Sequence, residues 1–296
     1  MVNNDKIANW VRRFLIEYLI DDRNLSQNTQ ASYRDTFVLL FPFAAKAKRK
    51  AMEKLGINDL DCNVVRRFLE HIESDRGCST ATRNQRLAAI RALAHFIGRR
   101  SPEHMAWSVE ICSVPFKKTL SVPVGYLEKE EMDALLDTPK CKTVQGKRDY
   151  TLLLFMYNTG ARVNEVASLT IGDLNLEGLP SVRILGKGNK VRYCPLWALT
   201  SRKLRSLTEG RGPKEPVFLN QRKEPITRFG IHSLLKRCVS KAGQKVPSLI
   251  IKRVSGRTIR HTAATHLLRS GVEINTIRAW LGHVSLDTTN IYTEVL

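Results

Sequence analysis

One segment in the middle of the chain joins a helix start to an arginine and an acid. In NTGARVNEVASL, residues 158–169, Gly160 ends one helix, Arg162 opens the next, and Glu165 follows three residues later. A helix start already carries partial positive charge, so a fixed arginine there makes an anion site in which Glu165 orients the guanidinium. The alternative interpretation is that Arg162 only forms an ion pair with Glu165.

A glycine-rich turn carries two lysines further along the chain. The run SVRILG, then KGN, then KVRYCPL predicts a strand, a turn and a second strand, and hence a β-hairpin. Its tip, residues 186–190, contains Lys187 and Lys190. Such a tip is typical of an exposed hairpin, and it is also a flexible way to deliver an ammonium group into a cleft.

A third segment places three basic side chains together at a helix start. Arg257, Arg260 and His261 are spaced i, i+3 and i+4, so they share one face of the first turn. Two arginines and a histidine there repel one another and the helix dipole. A bound phosphate explains this arrangement directly, whereas a purely structural role must offset that repulsion.

The C-terminal segment supplies an imidazole and a hydroxyl. In LGHVSLDTTNIYTEV, His283 follows a Leu-Gly helix end, and Tyr292 comes nine residues later. A tyrosine is a weak nucleophile unless its hydroxyl is aligned with an electrophile whose charge is neutralised. Fixed cations can balance the oxygens of a phosphoryl-transfer transition state. The sequence shows neither a cluster of metal-binding carboxylates nor a GxxxxGK[ST] loop, so we expect no metal and no cofactor.

The charge of the chain indicates a polyanionic partner. The net charge is +20, and residues 1–126 and residues 127–296 are both positive, at +7 and +13. Nucleic acid is the leading interpretation, with an anionic membrane or simple solubility as alternatives. The sequence contains no run of about 18 apolar residues, so no membrane-spanning helix is expected. The charged N-terminus is not expected to be a signal peptide. The scattered cysteines fit a reducing cytosol.

Most of the chain has helical periodicity. Residues 1–110 predict four helices: one around residues 7–18, then about 28–47, 63–73 and 80–97. Further helices are expected at about 127–137, 149–158, 197–209, 228–242, 257–270, 273–282 and 285–294. On the fourth helix, Arg83, Arg86 and Arg91 either contact DNA phosphates or form a solvated face.

Five segments in this order and spacing resemble the tyrosine recombinase (phage integrase) family, which includes phage integrases and bacterial chromosome-dimer resolvases. The segments are YLEKEEMDALLD, TGARVNEVASL, GKGNKVR, TIRHTAATHLL and LGHVSLDTTNIYTEV. Residues 1–110 resemble the helical core-binding domain of that family, by pattern more than by motif.

The resemblance implies a role for each of these residues. It implies Tyr292 as the nucleophile, Lys187 as the proton donor to the leaving 5′-oxygen with Lys190 as the second candidate, and His283 as a ligand of the scissile phosphate. It implies Arg162 and Arg260 as the two catalytic arginines, with Glu165 supporting the first. The expected DNA contacts are Arg83, Arg86, Arg91, Lys190 and His261.

The sequence departs from the family pattern in two places. The family usually has a histidine three residues before the second arginine, where this chain has Arg257. An arginine there can donate to a phosphate but cannot act as a base near neutral pH. The chain also ends at Leu296, four residues after Tyr292, whereas many members carry a further helix that docks on a neighbouring protomer.

The expected fold is mainly α, with two domains forming a C-shaped clamp around duplex DNA. Residues 1–112 form an all-α core-binding domain, residues 113–126 a linker, and residues 127–296 a mainly-α catalytic domain with a small antiparallel sheet. The expected function is site-specific DNA recombination in the cytoplasm, for example to integrate or excise a mobile element. The reaction is expected to pass through a 3′-phosphotyrosyl intermediate and a Holliday junction. A homotetramer is expected to act on two double-stranded DNA sites. The alternatives are a type IB topoisomerase-like enzyme and a DNA-binding module with impaired cleavage.

Overall fold

A computed structural model of the protein describes residues 6–119 and 125–282. The chain divides into two compact units, Met1–Ser121 and Val122–Leu296. The described parts are mainly helical with one small antiparallel sheet, which confirms the predicted fold class. Within these ranges, every helix is too short or too polar to cross a membrane.

In its described residues, the first unit contains helices and no strand. Its helices are α1 (Ile7–Arg13), which continues as a π-helical segment (Phe14–Asp22), α2 (Gln27–Lys48), α3 (Cys62–Ser74), α4 (Thr80–Arg100) and α5 (Met105–Ser113). The helices start where side chains cap them: Ser26 accepts from the Thr29 amide and Ser79 from the Thr82 amide. Phe14 lies fully buried at the centre of an aromatic cluster with Phe37 and Phe96.

The predicted linker begins inside this unit. Ser113, the first residue of the predicted linker, is still part of helix α5, which the sequence pattern did not predict. Val114 is buried in the core of the unit. The Pro115 carbonyl accepts a hydrogen bond from Arg83, and the Lys117 carbonyl accepts one from Asn84. The first residues of the expected linker are therefore packed against helix α4.

The second unit surrounds helix α7 with other helices and a sheet. Its helices are α6 (Lys129–Leu136), α7 (Val144–Thr159), α8 (Val163–Ala167), α9 (Ala198–Thr208), α10 (Arg228–Ala242), α11 (Ser248–Ile251), α12 (Gly256–Arg269) and α13 (Ile274–Leu281). Helix α7 is buried along most of its length, so it forms the centre of the core. The helix predicted near 285–294 lies outside the described residues.

The sheet has three antiparallel strands in the order β1–β2–β3. They are β1 (Leu174–Asn175), β2 (Ser181–Leu185) and β3 (Val191–Pro195), and the last two form the predicted hairpin. In β3 the buried positions are Arg192 and Cys194, which oppose Ile184 and Val182 of β2. The strand therefore turns one charged side chain towards the protein interior.

Candidate active site

Arg162 lies at the start of helix α8, as predicted. Helix α7 ends at Gly160, which has a left-handed φ of 57°, and Arg162 is the N-cap residue of α8. The carboxylate of Glu165 accepts from the Arg162 backbone amide at 2.8 Å and from its guanidinium Nη1 at 2.9 Å. The Arg162 side chain remains 43% exposed. Glu165 therefore fixes the guanidinium at the helix start while leaving it accessible to an anion.

A second arginine, Arg192, binds the same carboxylate. Its Nη2 lies 2.7 Å from Glu165 Oε2 and its Nη1 lies 3.1 Å from Oε1. Burial favours the protonated form of Glu165, but its hydrogen bonds with Arg192 and Arg162 outweigh burial, so the net pKa is lowered. Glu165 is therefore an ionised carboxylate between two guanidiniums.

Arg192 was missed in the sequence analysis, which considered only the lysines of this hairpin. The alternation along β3 carries a usable signal, because Arg192 falls in register with the buried Cys194 rather than with the exposed residues. A charged side chain at an inward position of a strand needs a partner. The identity of that partner, 27 residues earlier in the chain, comes only from the structure.

Arg260 connects three elements from inside the protein. It lies on helix α12 and is buried. Its Nη1 donates to the Gly160 carbonyl at 2.8 Å, and its Nη2 donates to the Leu281 carbonyl at 2.6 Å. Gly160 is two residues before Arg162, so the two predicted catalytic arginines lie on segments that are directly hydrogen-bonded.

The carboxyl end of helix α13 meets both buried arginines. The Trp280 carbonyl accepts from Arg192 Nε at 3.0 Å, and the next carbonyl, of Leu281, accepts from Arg260. Cations at this end of a helix are stabilised by its unpaired carbonyls and by the helix dipole. The helix ends at Gly282 with a φ of 68°, and His283 follows it. His283 and Tyr292 lie outside the described residues.

The hairpin turn closes beside the same ion pairs. A Cβ atom built on Gly186 would lie 3.5 Å from both Arg192 Nη1 and Glu165 Oε1. The next residue, Lys187, begins a short 3₁₀ turn, Lys187–Asn189. Lys190 is exposed, and its carbonyl accepts from the Gly186 amide. The base of the turn is therefore located beside these ion pairs.

Arg257 and His261 separate in the structure, although both lie in the first turns of helix α12. Arg257 is exposed, whereas His261 is buried. Burial, together with the charges of Arg257 and Arg260, lowers the pKa of His261 to about 4. His261 is therefore neutral at pH 7 and lies inside the domain. Contrary to expectation, it does not form part of an exposed DNA-contacting surface.

The three arginines predicted to contact DNA from helix α4 all have partners within the first unit. Arg83 is buried and donates to the Pro115 carbonyl, so its role is to hold the chain after α5 rather than to face DNA. Arg86 donates to the Ser32 carbonyl and the Thr36 hydroxyl of α2. Arg91 lies over the Phe116 ring. Arg86 and Arg91 are half-buried, and their contact with DNA stays a prediction.

Two family models match the chain. The model described as "Phage integrase family" matches residues 125–296, and the model described as "Phage integrase, N-terminal SAM-like domain" matches residues 11–101. Tyrosine recombinase XerC of Pelobacter propionicus is 32% identical, over 96% of this chain and 90% of that protein. Tyrosine recombinase XerD of Oceanobacillus iheyensis is also 32% identical, over 95% of each.

Solved structures show the same fold at lower identity. The Tn1549 transposon integrase in complex with transposon right end DNA has a TM-score of 0.72 at 17% identity, over 95% of this chain and 94% of that one. The XerH recombinase bound to palindromic difH substrate has a TM-score of 0.69 at 23% identity, over 91% of this chain and 77% of that one. Together with the family model and the identity to XerC and XerD, these findings confirm the resemblance seen in the sequence. The chain belongs to the phage integrase family of tyrosine recombinases, enzymes that cleave and rejoin DNA.

Proposed function

We propose that this enzyme recombines DNA at specific sites, using Tyr292 as the nucleophile. The phenolic oxygen bonds to the scissile phosphorus, the bond from phosphorus to the 5′-oxygen breaks, and the tyrosyl proton leaves to solvent. The products are a 3′-phosphotyrosyl link and a free 5′-hydroxyl once the leaving oxygen has taken a proton from Lys187. The phosphotyrosine keeps the energy of the diester, so a second 5′-hydroxyl can reverse the step without a nucleotide cofactor.

The hydrogen bond that joins the Arg260 side chain to the segment of Arg162 is the observation that supports this proposal most. These arginines come from α8 and α12, and the bond from Arg260 to the Gly160 carbonyl joins their segments. The transition state of phosphoryl transfer carries negative charge on its equatorial oxygens, and preorganised guanidiniums stabilise that charge. Arg162, which is fixed by Glu165 yet partly exposed, is suited to bind one such oxygen.

The remaining roles extend this proposal to residues around the two arginines. Arg257, at the position where the family usually has histidine, adds an exposed cation that can donate to the phosphate but cannot accept a proton. His283 follows the end of α13, where the Trp280 and Leu281 carbonyls are bound by Arg192 and Arg260. We place His283 as a further donor to the scissile phosphate.

The partner in this proposal is double-stranded DNA with a specific recombination site. Four copies act on two such sites and exchange strands in two rounds through a Holliday junction, in the cytoplasm. Integration or excision of a mobile element is the process we favour. Support comes from the similarity to an integrase in complex with transposon right end DNA and to XerH bound to difH substrate.

The proposal is tested by trapping the covalent intermediate. The site is first located by footprinting on DNA that flanks the gene in its source genome, and a nicked version of that site is then used as substrate. Tyr292→Phe removes one oxygen and keeps the ring, so DNA binding should be unchanged while the protein–DNA adduct disappears. Tyr193→Phe is the matched control, because Tyr193 is 68% exposed on β3.

The adduct of the parent enzyme should be on the 3′-phosphate, with a free 5′-hydroxyl on the other fragment. A persistent adduct in Tyr292→Phe, or a 5′-linked adduct in the parent, contradicts the assignment of the nucleophile. A parent that binds the site tightly without ever forming an adduct is a DNA-binding module with impaired cleavage.

A further inference from the structure

Arg192 lies where three parts of the candidate site meet. Its guanidinium contacts the carboxylate that holds Arg162, the last turn of helix α13, and the base of the hairpin turn that carries Lys187. We infer that Arg192 is a positioning residue for DNA cleavage, which holds Arg162, the hairpin turn and the end of α13 in one arrangement. This inference rests on the proposed function and concerns a residue to which that function assigns no role.

The contact with Glu165 couples Arg192 to Arg162. Each carboxylate oxygen accepts from both sides: Oε1 from the Nη1 atoms of Arg162 and Arg192, and Oε2 from the Arg162 amide and Arg192 Nη2. A carboxylate held by four donors has little freedom to rotate. The direction of the Arg162 guanidinium is therefore set through Glu165 by Arg192.

The third nitrogen of the Arg192 guanidinium is also in use. Nε donates to the Trp280 carbonyl at 3.0 Å, and a Cβ atom on Gly282 would lie 2.9 Å from Arg192 Cδ. All three guanidinium nitrogens therefore have partners within the protein, and the residue is buried. Arg192 consequently acts through the residues that it contacts and is not itself placed to bind phosphate.

The hairpin adds the third contact. Arg192 follows the exposed Lys190 by two residues on β3, and Gly186, just before Lys187, lies against its Nη1. A Cβ atom at position 186 would be in ordinary van der Waals contact with Arg192 Nη1 and Glu165 Oε1, so the turn packs directly beside the ion pair. The position of the turn that carries Lys187 thus depends on the same guanidinium as the position of Arg162.

A buried ion pair does not by itself indicate function, because apolar residues of similar volume often replace such pairs without loss of stability. The pH dependence of cleavage separates positioning from simple packing. Among the side chains that the structure describes, the charged groups facing Glu165 are Arg162 at the start of α8 and Arg192 on β3. Removing Arg192 takes away the largest effects that lower the pKa of Glu165 and leaves burial, which raises it, so the carboxylate should be protonated at a higher pH than in the parent, and Arg162 then loses its anchor.

The test compares Arg192→Met, Glu165→Gln and the double variant in single-turnover cleavage of a nicked site across pH. Arg192→Met should bind DNA like the parent and cleave about 10- to 100-fold more slowly at neutral pH, because the reacting groups are misplaced. Its rate should fall further as the pH is lowered, with a midpoint above that of the parent. This additional fall should be absent when Glu165→Gln is combined with it.

Arg183→Met is the matched control. Arg183 lies on the neighbouring strand β2, is 49% exposed and forms an ion pair with Asp173. Its removal should leave the cleavage rate and its pH profile unchanged. Arg192→Lys keeps the charge but cannot reach both Glu165 and the Trp280 carbonyl, so it should cleave slowly without the displaced midpoint. This variant also provides the decisive comparison if Arg192→Met does not fold.

Two results overturn the inference. One is cleavage by Arg192→Met at the parental rate, and the other is a loss of rate that is equal at all pH values and equal in the double variant. If the parent forms no adduct, the proposed function fails separately. The mobility of the Arg162 Nε–H group, measured by ¹⁵N NMR relaxation, then decides the inference: it should increase in Arg192→Lys, and unchanged mobility contradicts the positioning role.

Discussion

His261 is a buried, neutral histidine beside two arginines. Its ordinary pKa is 6.5, and burial with the charges of Arg257 and Arg260 lowers that pKa to about 4 in the folded protein. Between these two pH values the unfolded chain binds a proton that the folded protein does not. The free energy of unfolding therefore decreases as the pH falls from 6.5 towards 4, and the stabilising contribution is fully present above that window.

This difference predicts how stability depends on pH. A shift of this size corresponds to a loss of about 3 kcal/mol across the window. His261→Gln cannot titrate, so urea unfolding between pH 7 and pH 4 should show a correspondingly shallower dependence in this variant. The control is His232→Gln, because His232 is exposed on helix α10 and its replacement should leave the slope unchanged. Equal slopes in the parent and in His261→Gln would contradict the buried neutral state.

At the scale of single residues, the sequence predicts contacts that are local in the chain. The pairing of Arg162 with Glu165 lies within one helical turn, so spacing alone indicates it. The bonds of Glu165 with Arg192 and of Arg260 with Gly160 join residues 27 and 100 positions apart, and only the packing of the elements determines them. The packing of the elements also determines the burial of Arg83 and His261, because the sequence alone suggests that a basic residue is exposed.

Helix α7 and the segment after it depend on one glycine. Gly160 has a φ of 57°, and a Cβ atom there would lie 2.3 Å from Leu281 Cδ2. An alanine at this position therefore meets both an unfavourable backbone conformation and the last turn of α13. Gly178 offers a matched comparison, because its φ is also 57° but a Cβ atom would meet nothing within 4 Å.

Comparing Gly160→Ala with Gly178→Ala separates the free-energy cost of backbone strain from that of close packing. Gly178→Ala should lower the free energy of unfolding by about 1 kcal/mol, the cost of a left-handed alanine. Gly160→Ala should lower it by roughly 1–3 kcal/mol more, since Leu281 must move, and cleavage should fall because the Leu281 carbonyl is bound by Arg260. Guanidinium unfolding and single-turnover cleavage measure the two effects. Equal losses of stability in the two variants would show that Leu281 adapts without strain.

At the scale of elements, prediction succeeded where the sequence carries caps and a regular period. Ser26 and Ser79 cap α2 and α4 close to the helix starts predicted at about residues 28 and 80, and the glycine-rich turn gives the predicted hairpin. Helix α5 was missed because MAWSVEICS follows a proline turn and carries little amphipathic pattern. Strand β1 has only two residues, Leu174 and Asn175, and exists through its pairing with β2. Such an element has no period to detect.

The whole molecule carries a net charge of +20 that is shared by both halves. Binding of a basic protein to DNA releases counterions, so affinity decreases with salt in proportion to the number of phosphate contacts. If about six contacts form, affinity should fall roughly 10³-fold between about 50 and 200 mM salt. Fluorescence anisotropy on a labelled site measures this slope, with the isolated residues 125–296 as a comparison. A flat response would contradict binding along the phosphate backbone.

Arg260 and Arg192 differ in the kind of group that accepts their hydrogen bonds. This difference determines which sequence positions must change together during evolution. Both acceptors described for Arg260 are main-chain carbonyls, of Gly160 and Leu281, which every amino acid supplies. Arg192 relies on a carboxylate that only an acidic side chain provides. In diverging lineages, exchanges at positions 165 and 192 must therefore accompany each other, whereas an exchange at position 281 still leaves a main-chain carbonyl for Arg260 to bind. Covariation between positions in aligned related sequences should therefore reveal the ion pair between Glu165 and Arg192. It should not reveal the equally buried hydrogen bonds of Arg260.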